Sequence, residues 1–280
     1  MFSNQKTILK EVSFSGIGLH SGEPVNITLL PDDIDTGINF FYKKKKIKAS
    51  WKNAEISQLC TKIKKDNVYL STIEHLMSAL CGLGVTNLLI KISSGEVPIL
   101  DGSAKDFVNN ILKIGFKEQK KKRKFIKLKK TITFEDKKKF IKIVPTNENK
   151  FTVDYTIDYK DELIKKQQFL YNHSYEDYKK IYLARTFCLQ QDLEKIFAMG
   201  LAKGGSLENA IVVSGNKILN QGGLRYKDEF VRHKVLDCIG DLYLSEHQIL
   251  GEVTTSGGGH ELNLMLLKKI FEDKDNFDVI

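Results

Sequence analysis

Between residues 230 and 242 of this 280-residue chain, His233, Asp237 and Asp241 recur at every fourth position. On a helix that spacing sets them along one narrow stripe, and Val231, Val235, Leu236 and Ile239 form a packing face beside it. An imidazole nitrogen and a carboxylate oxygen one turn apart can chelate a single cation, with zinc well suited to both donors. The same spacing also describes an ordinary surface ion pair. Taken alone, the helix leaves both readings open.

A third ligand is available in Ser71-Thr72-Ile73-Glu74-His75-Leu76, at the start of an expected helix over 72–83. Ser71 and Glu74 also fit a capping box, in which Glu74 only bonds the backbone of the cap. The functional alternative makes His75 a ligand and frees Glu74 to take a proton from water held at the metal. His260 follows Ser256-Gly257-Gly258-Gly259, a loop so rich in glycine that substrate can approach its backbone closely. A protonated imidazole there is a candidate acid for a leaving amine, with Asp241 holding the ring and raising its pKa; a merely exposed histidine is the alternative. In Ala184-Arg185-Thr186-Phe187, Thr186 is a candidate donor to a developing oxyanion.

The elements that must position these groups are legible as periodicities. Strands are expected over 7–14 and 25–30 around the turn Gly16-Ile17-Gly18-Leu19-His20-Ser21-Gly22, then a helix over 72–83, a strand over 87–92 and a helix over 106–114. Lysine dominates 117–130, which makes that stretch the candidate linker. Beyond it, strands are expected over 125–134, 140–144 and 151–159, and helices over 176–181, 192–199 and 230–243. Leu193, Ile196 and Phe197 carry an apolar stripe within a β-α-β insertion around 185–213, either core or a passage for an acyl chain. The fold class is α+β, layered, with domains at 1–123 and 124–280.

Composition narrows the function. With 41% hydrophobic and 28% charged residues, fibrous, low-complexity and wholly disordered classes are excluded. The longest apolar-leaning run, 76–90, is shorter than the ~20 residues a bilayer span needs. Lys6 and Lys10 interrupt any export signal, so the mature chain is expected to begin near Met1 and stay in the cytoplasm. Four scattered cysteines suit free thiols. The net charge of +9 rests on 40 lysines and only four arginines, Arg123, Arg185, Arg225 and Arg232. Nucleic-acid readers favour arginine interleaved with aromatic platforms, so no nucleic-acid partner is expected. Weak attraction to an anionic membrane surface or a phosphorylated substrate remains open.

Taken together, these motifs and Pro98-Ile99-Leu100-Asp101-Gly102-Ser103-Ala104 resemble the UDP-3-O-acyl-N-acetylglucosamine deacetylases, zinc amidases of lipid A synthesis, over nearly the full chain. The resemblance implies His75, His233 and Asp237 as zinc ligands, with Fe2+ suited to the same set. It implies Glu74 as general base, His260 as general acid, Asp241 as its partner, Thr186 as oxyanion donor and Lys234 as a contact to substrate oxygens. It further implies two similar α+β domains packed face to face with the site between them. The expected protein is a cytoplasmic monomer whose 3-O-acyl passage is lined by Phe187, Leu189, Leu193, Ile196 and Ala202. One departure stands out: the family carries a lysine three residues before this histidine, where this chain has Gly257. The missing cation is expected from Lys203 or Lys227.

Overall fold

A computed structural model describes residues 3–280, so the expectation that the mature chain begins near Met1 lies outside the described residues. Strands Val12–Ile17 and Pro24–Pro31 pair antiparallel, with Phe14 opposite Ile27. Alternate residues Val25, Ile27 and Leu29 turn to the core while their neighbours face outward, the period of two that a half-buried strand requires. The expected strand over 7–14 is broken. Asn4–Ile8 leaves this sheet to pair with Phe116–Lys122, and Leu9 N–H bonds Gly115 O at the crossing.

Leu88–Ile92, Ile38–Tyr42 and Lys45–Lys48 complete a five-stranded sheet in the first half. A three-stranded sheet of Ala54–Glu55, Lys62–Lys65 and Val68–Ser71 leads into helix α1 (Glu74–Leu83). Helix α2 (Lys105–Ile114) lies on the five-stranded sheet through Phe107, whose ring meets Phe14 edge-on at 5.1 Å.

The lysine-rich stretch is not a loop. Phe116–Lys122 and Phe125–Leu128 are both strands, separated only by residues 123 and 124, and the second pairs with Gln248–Ser256 and Phe277–Val279. Lysine content misled because Phe116–Lys122 is an almost wholly exposed strand that buries only Gln119, while Phe125, Ile126 and Leu128 of the next strand turn inward. Gln248–Ser256 is the centre of a seven-stranded sheet that also holds Ile132–Asp136, Lys139–Val144, Phe151–Asp158 and Lys166–Asn172. The expected strand over 125–134 is thus two strands.

Beyond the short α3 (Tyr175–Tyr178), strand Phe187–Leu189 runs parallel to Ile211–Ser214 with α4 (Leu193–Ala198) between them, the crossover that parallel pairing demands. None of the α4 residues is buried, so its apolar stripe is not core. Helix α5 (Glu229–Leu242) packs on Phe151–Asp158 and Lys166–Asn172, and α6 (His260–Phe271) on Ile132–Asp136 and Lys139–Val144. The result is an α+β sandwich in which α1 and α5 meet at the centre. Their approach is close enough that a Cβ on Gly240 would lie 2.0 Å from Glu74 O. Among the described residues, no helix is long and apolar enough to cross a membrane.

Candidate metal centre and its cavity

Helix α1 starts without a side-chain cap, and Ser71 Oγ donates instead to Gly95 O at 3.3 Å. The capping-box reading of Glu74 therefore fails. Thr72, at φ 57°, turns the chain so that Glu74 is buried but released from its own helix. Its Oε2 accepts from Thr61 N–H at 3.0 Å, and its Oε1 lies 4.0 Å from His260 Nε2. Burial pushes the Glu74 carboxyl up from its ordinary value, against the pull of His260 and His75.

The α1–α5 crossing brings His75 beside His233 and Asp237, all three buried. Asp237 Oδ1 lies 3.4 Å from His75 Nε2 and 3.3 Å from His233 Nε2, and the two rings meet edge-on at 4.9 Å. This burial excludes the surface-pair reading of the i,i+4 motif. His233 Nδ1–H donates to Ala184 O at 3.0 Å, which leaves a lone pair on Nε2. Burial holds His233 down at about 3, so the ring is neutral and can ligate. Although burial opposes ionisation of Asp237, His233 beside it and the Lys234 ammonium keep its carboxyl well below the usual range.

Asp237 Oδ1 is itself a test of whether a metal fits. It is sealed from solvent and accepts no hydrogen bond, while Lys234 Nζ satisfies Oδ2 at 2.9 Å. A carboxylate oxygen left bare in the interior is costly. Two imidazole nitrogens and that oxygen, all within 4.8 Å of one another, are the donor set a divalent cation satisfies.

His260 opens α6 and donates from Nδ1 to Asp241 Oδ2 at 2.8 Å, where Asn263 Nδ2 also donates at 2.8 Å. Thr61 donates its hydroxyl to Asp241 Oδ1, and Thr61 Oγ1 lies 3.1 Å from His260 Nδ1. Burial would lower the His260 pKa, but the charge and hydrogen bond of Asp241, with Glu74, raise it to about 9. Asp241 thus serves His260 rather than the ligand stripe it shares with Asp237.

These groups sit at one end of a cavity of about 1000 Å3. Thr186, Phe187, Leu189, Leu193, Ile196 and Ala202 all line it, as do Glu74, His75, His233, Lys234, Asp237 and His260. Phe187 is held by Phe230 and Tyr159, at ring distances of 4.9 and 5.8 Å. Lys203 and Lys227, expected in place of the missing cation, are not among the residues that line this cavity. Lys139 does line it, and its Cγ would lie 3.2 Å from a Cβ on Gly257, whose φ is +63°. The left-handed turn and Lys139 together occupy the room a residue-257 side chain would need.

Thr61, Asn263, Lys139 and Glu96 escaped the sequence reading. Glu96 is buried and accepts from His20 N–H, Ser21 N–H and Thr72 Oγ1, each at 2.8 Å, so it ties the 16–22 turn to the entry of α1. Nothing local marks these residues, because their partners lie far away in the chain.

Compared with known proteins, the chain matches the family model described as UDP-3-O-acyl N-acetylglycosamine deacetylase over residues 5–272. Proteins named UDP-3-O-acyl-N-acetylglucosamine deacetylase are similar to it at 42% identity in Campylobacter jejuni subsp. doylei, 43% in Aliarcobacter butzleri and 42% in Hahella chejuensis. Each alignment covers 99% of this chain and, in the same order, 94%, 92% and 93% of the relative.

Proposed function

Because the chain belongs to the UDP-3-O-acyl N-acetylglycosamine deacetylase family, we propose that it hydrolyses the N-acetyl amide of UDP-3-O-(3-hydroxyacyl)-N-acetylglucosamine to acetate and the free amine, a step of lipid A synthesis. His75, His233 and Asp237 would hold Zn2+, or Fe2+ in its place. When bound, the metal supplies Lewis acidity that polarises the amide carbonyl and acidifies the attacking water.

The chain's own groups divide the proton work. Glu74, whose Oε1 makes no hydrogen bond among the described residues, accepts the proton of the attacking water as the new C–O bond forms. Thr186 donates to the oxygen that gains charge. His260, protonated because Asp241 holds Nδ1, delivers the Nε2 proton to the departing sugar nitrogen as the C–N bond breaks. Thr61 and Asn263 fix the Asp241 carboxylate and so the ring plane of His260. Lys139 and Lys234 offer charge to the diphosphate of the substrate, and Leu189, Leu193, Ile196 and Ala202 flank its acyl chain. We place this activity in the cytoplasm, in a monomer.

The observation that carries this reading is the bare Oδ1 of Asp237 between two imidazoles, with Glu74, the residue before the ligand His75, and His260 set for opposite proton transfers. The test is acetate release from the 3-O-(3-hydroxymyristoyl) substrate by zinc-loaded protein. Wild type should turn over, and Glu74→Gln and His260→Gln should each lose at least ~100-fold in kcat while keeping the metal. An inactive wild type with stoichiometric zinc would refute the assignment.

A further inference from the structure

Past the C-terminal ends of α1 and α5 lies a second cavity, of about 150 Å3. Thr86 and Asn87, just past α1, form one wall, and Glu246 and His247, just past α5, form the other. Arg123 and Lys124, the two residues between strands Phe116–Lys122 and Phe125–Leu128, close it. The cavity is polar and spans the junction of the two halves of the chain.

Its charges do not balance. Asp35 and Glu246 line it, but Asp35 is already paired with Lys121, and Glu246 with Lys48 and with Ser50 Oγ at 2.6 Å. Among the described residues, neither Arg123 nor Lys124 has a carboxylate oxygen within ion-pair distance. Arg123 Nε is sealed from solvent and has no acceptor, and no other guanidinium nitrogen of Arg123 makes a hydrogen bond among the described residues. Its one side-chain contact of note is the Phe125 ring, 5.3 Å away. Nor is Arg123 needed to cap α1, because Lys6 Nζ already donates to Leu83 O at 3.1 Å. The His247 ring, too, makes no hydrogen bond among the described residues.

A guanidinium whose Nε is sealed without an acceptor, and whose other nitrogens make no hydrogen bond among the described residues, is the half of a bidentate pair that recognises an oxyanion. We propose that this cavity binds a small soluble oxyanion, phosphate or a compact polycarboxylate, through the Arg123 fork, with Lys124 and His247 completing the site. The volume admits one such ion with a few waters and is too small for a nucleotide or for the acyl sugar. Since its walls come from both halves of the chain, the bound ion bridges them and stabilises the α1–α5 arrangement that carries the metal ligands. This site is separate from the reaction centre and stands whether or not the deacetylase reading does.

The experiment titrates the full-length protein with inorganic phosphate and, separately, with citrate at constant ionic strength, following the melting temperature and the heat of binding. Wild type should show a saturable rise with at least one of the two, and which one responds identifies the class. Arg123→Gln should weaken that binding by at least ~tenfold, as loss of a charge-assisted fork predicts. It should also melt no lower than wild type without the anion, because no protein acceptor is lost. Lys124→Gln, at an exposed position, should weaken binding several-fold and serves if Arg123→Gln does not fold. No saturable response to either anion would leave the cavity to water and overturn the proposal. An undiminished response in both variants would place the binding elsewhere and overturn it equally.

Discussion

Lys234 Nζ donates to Asp237 Oδ2 at 2.9 Å, so the Asp237 oxygen left without a donor is the one that faces His75 and His233. The two residues are three apart on α5, and this ion pair sets the carboxylate plane that a metal would meet.

Metal content follows from that relationship. Wild type should hold one zinc per chain by mass spectrometry, and His75→Ala and Asp237→Ala should hold none. Lys234→Met keeps all three ligands but frees Oδ2 to rotate, so its zinc affinity in a chelator competition should fall ~10–100-fold. Unchanged affinity would show that Lys234 does not orient the ligand.

The pH profile should report His260. With its pKa raised to about 9, the ring stays protonated through neutral pH, and the alkaline limb of kcat/KM should fall as pH rises through about 9. Asp241→Asn removes the charge that opposes the burial penalty, so that alkaline limb should move toward neutral pH. Stability follows the same sign: the His260 contribution is complete below the ordinary histidine value and is lost as pH rises through about 9. An alkaline limb unmoved by Asp241→Asn would assign it to another group.

His173 works in the opposite direction. Burial, with the Arg123 charge nearby, holds it down at about 4, and Tyr171 Oη lies 2.9 Å from its Nδ1. The neutral ring belongs to the folded state, so its contribution is complete above the ordinary histidine value and is lost as pH falls to about 4. That amounts to about 3 kcal/mol. Urea unfolding at neutral pH and near the acid end should show a smaller difference for His173→Gln than for wild type; equal differences would absolve His173.

The α1–α5 contact depends on Gly240. A methyl group there would meet the Glu74 carbonyl at 2.0 Å, and backbone cannot yield as a side-chain tip does. Gly240→Ala should cost about 3 kcal/mol and weaken zinc binding, because it separates His75 from His233 and Asp237. A melting temperature equal to that of wild type would show that the helices can part freely.

Chain-length preference should be set on α4. Ala202 lines the cavity but has φ 55°, so a bulky residue there would add backbone strain to any steric effect. Ile196 is helical and lines the same wall. Ile196→Trp should reduce kcat/KM at least ~10-fold for a long acyl chain and spare a short one. Equal loss on both would place the passage elsewhere.

The sequence by itself determined much that is local or that depends on residue type. The stripe of His233, Asp237 and Asp241 followed from the 3.6-residue period, and α2, α4, α5 and the insertion lay close to where periodicity put them, because these features depend on neighbours within a few positions. Tertiary structure decided how the groups are shared. Whether Glu74 capped its own helix or faced His260 turned on Thr61, 13 residues earlier. Whether the His/Asp pair was wet or buried turned on α1, whose His75 reaches it only because Gly240 has no side chain. The division of the two aspartates, Asp237 to the imidazoles and Asp241 to His260, came from which helix packs on each turn of α5. Likewise, the lysines of 117–130 read as a linker until strand pairing gave them a wet face. Periodicity encodes which side of an element is apolar, but the partner that covers it is chosen by contacts between residues far apart in the chain, and those set the chemistry here.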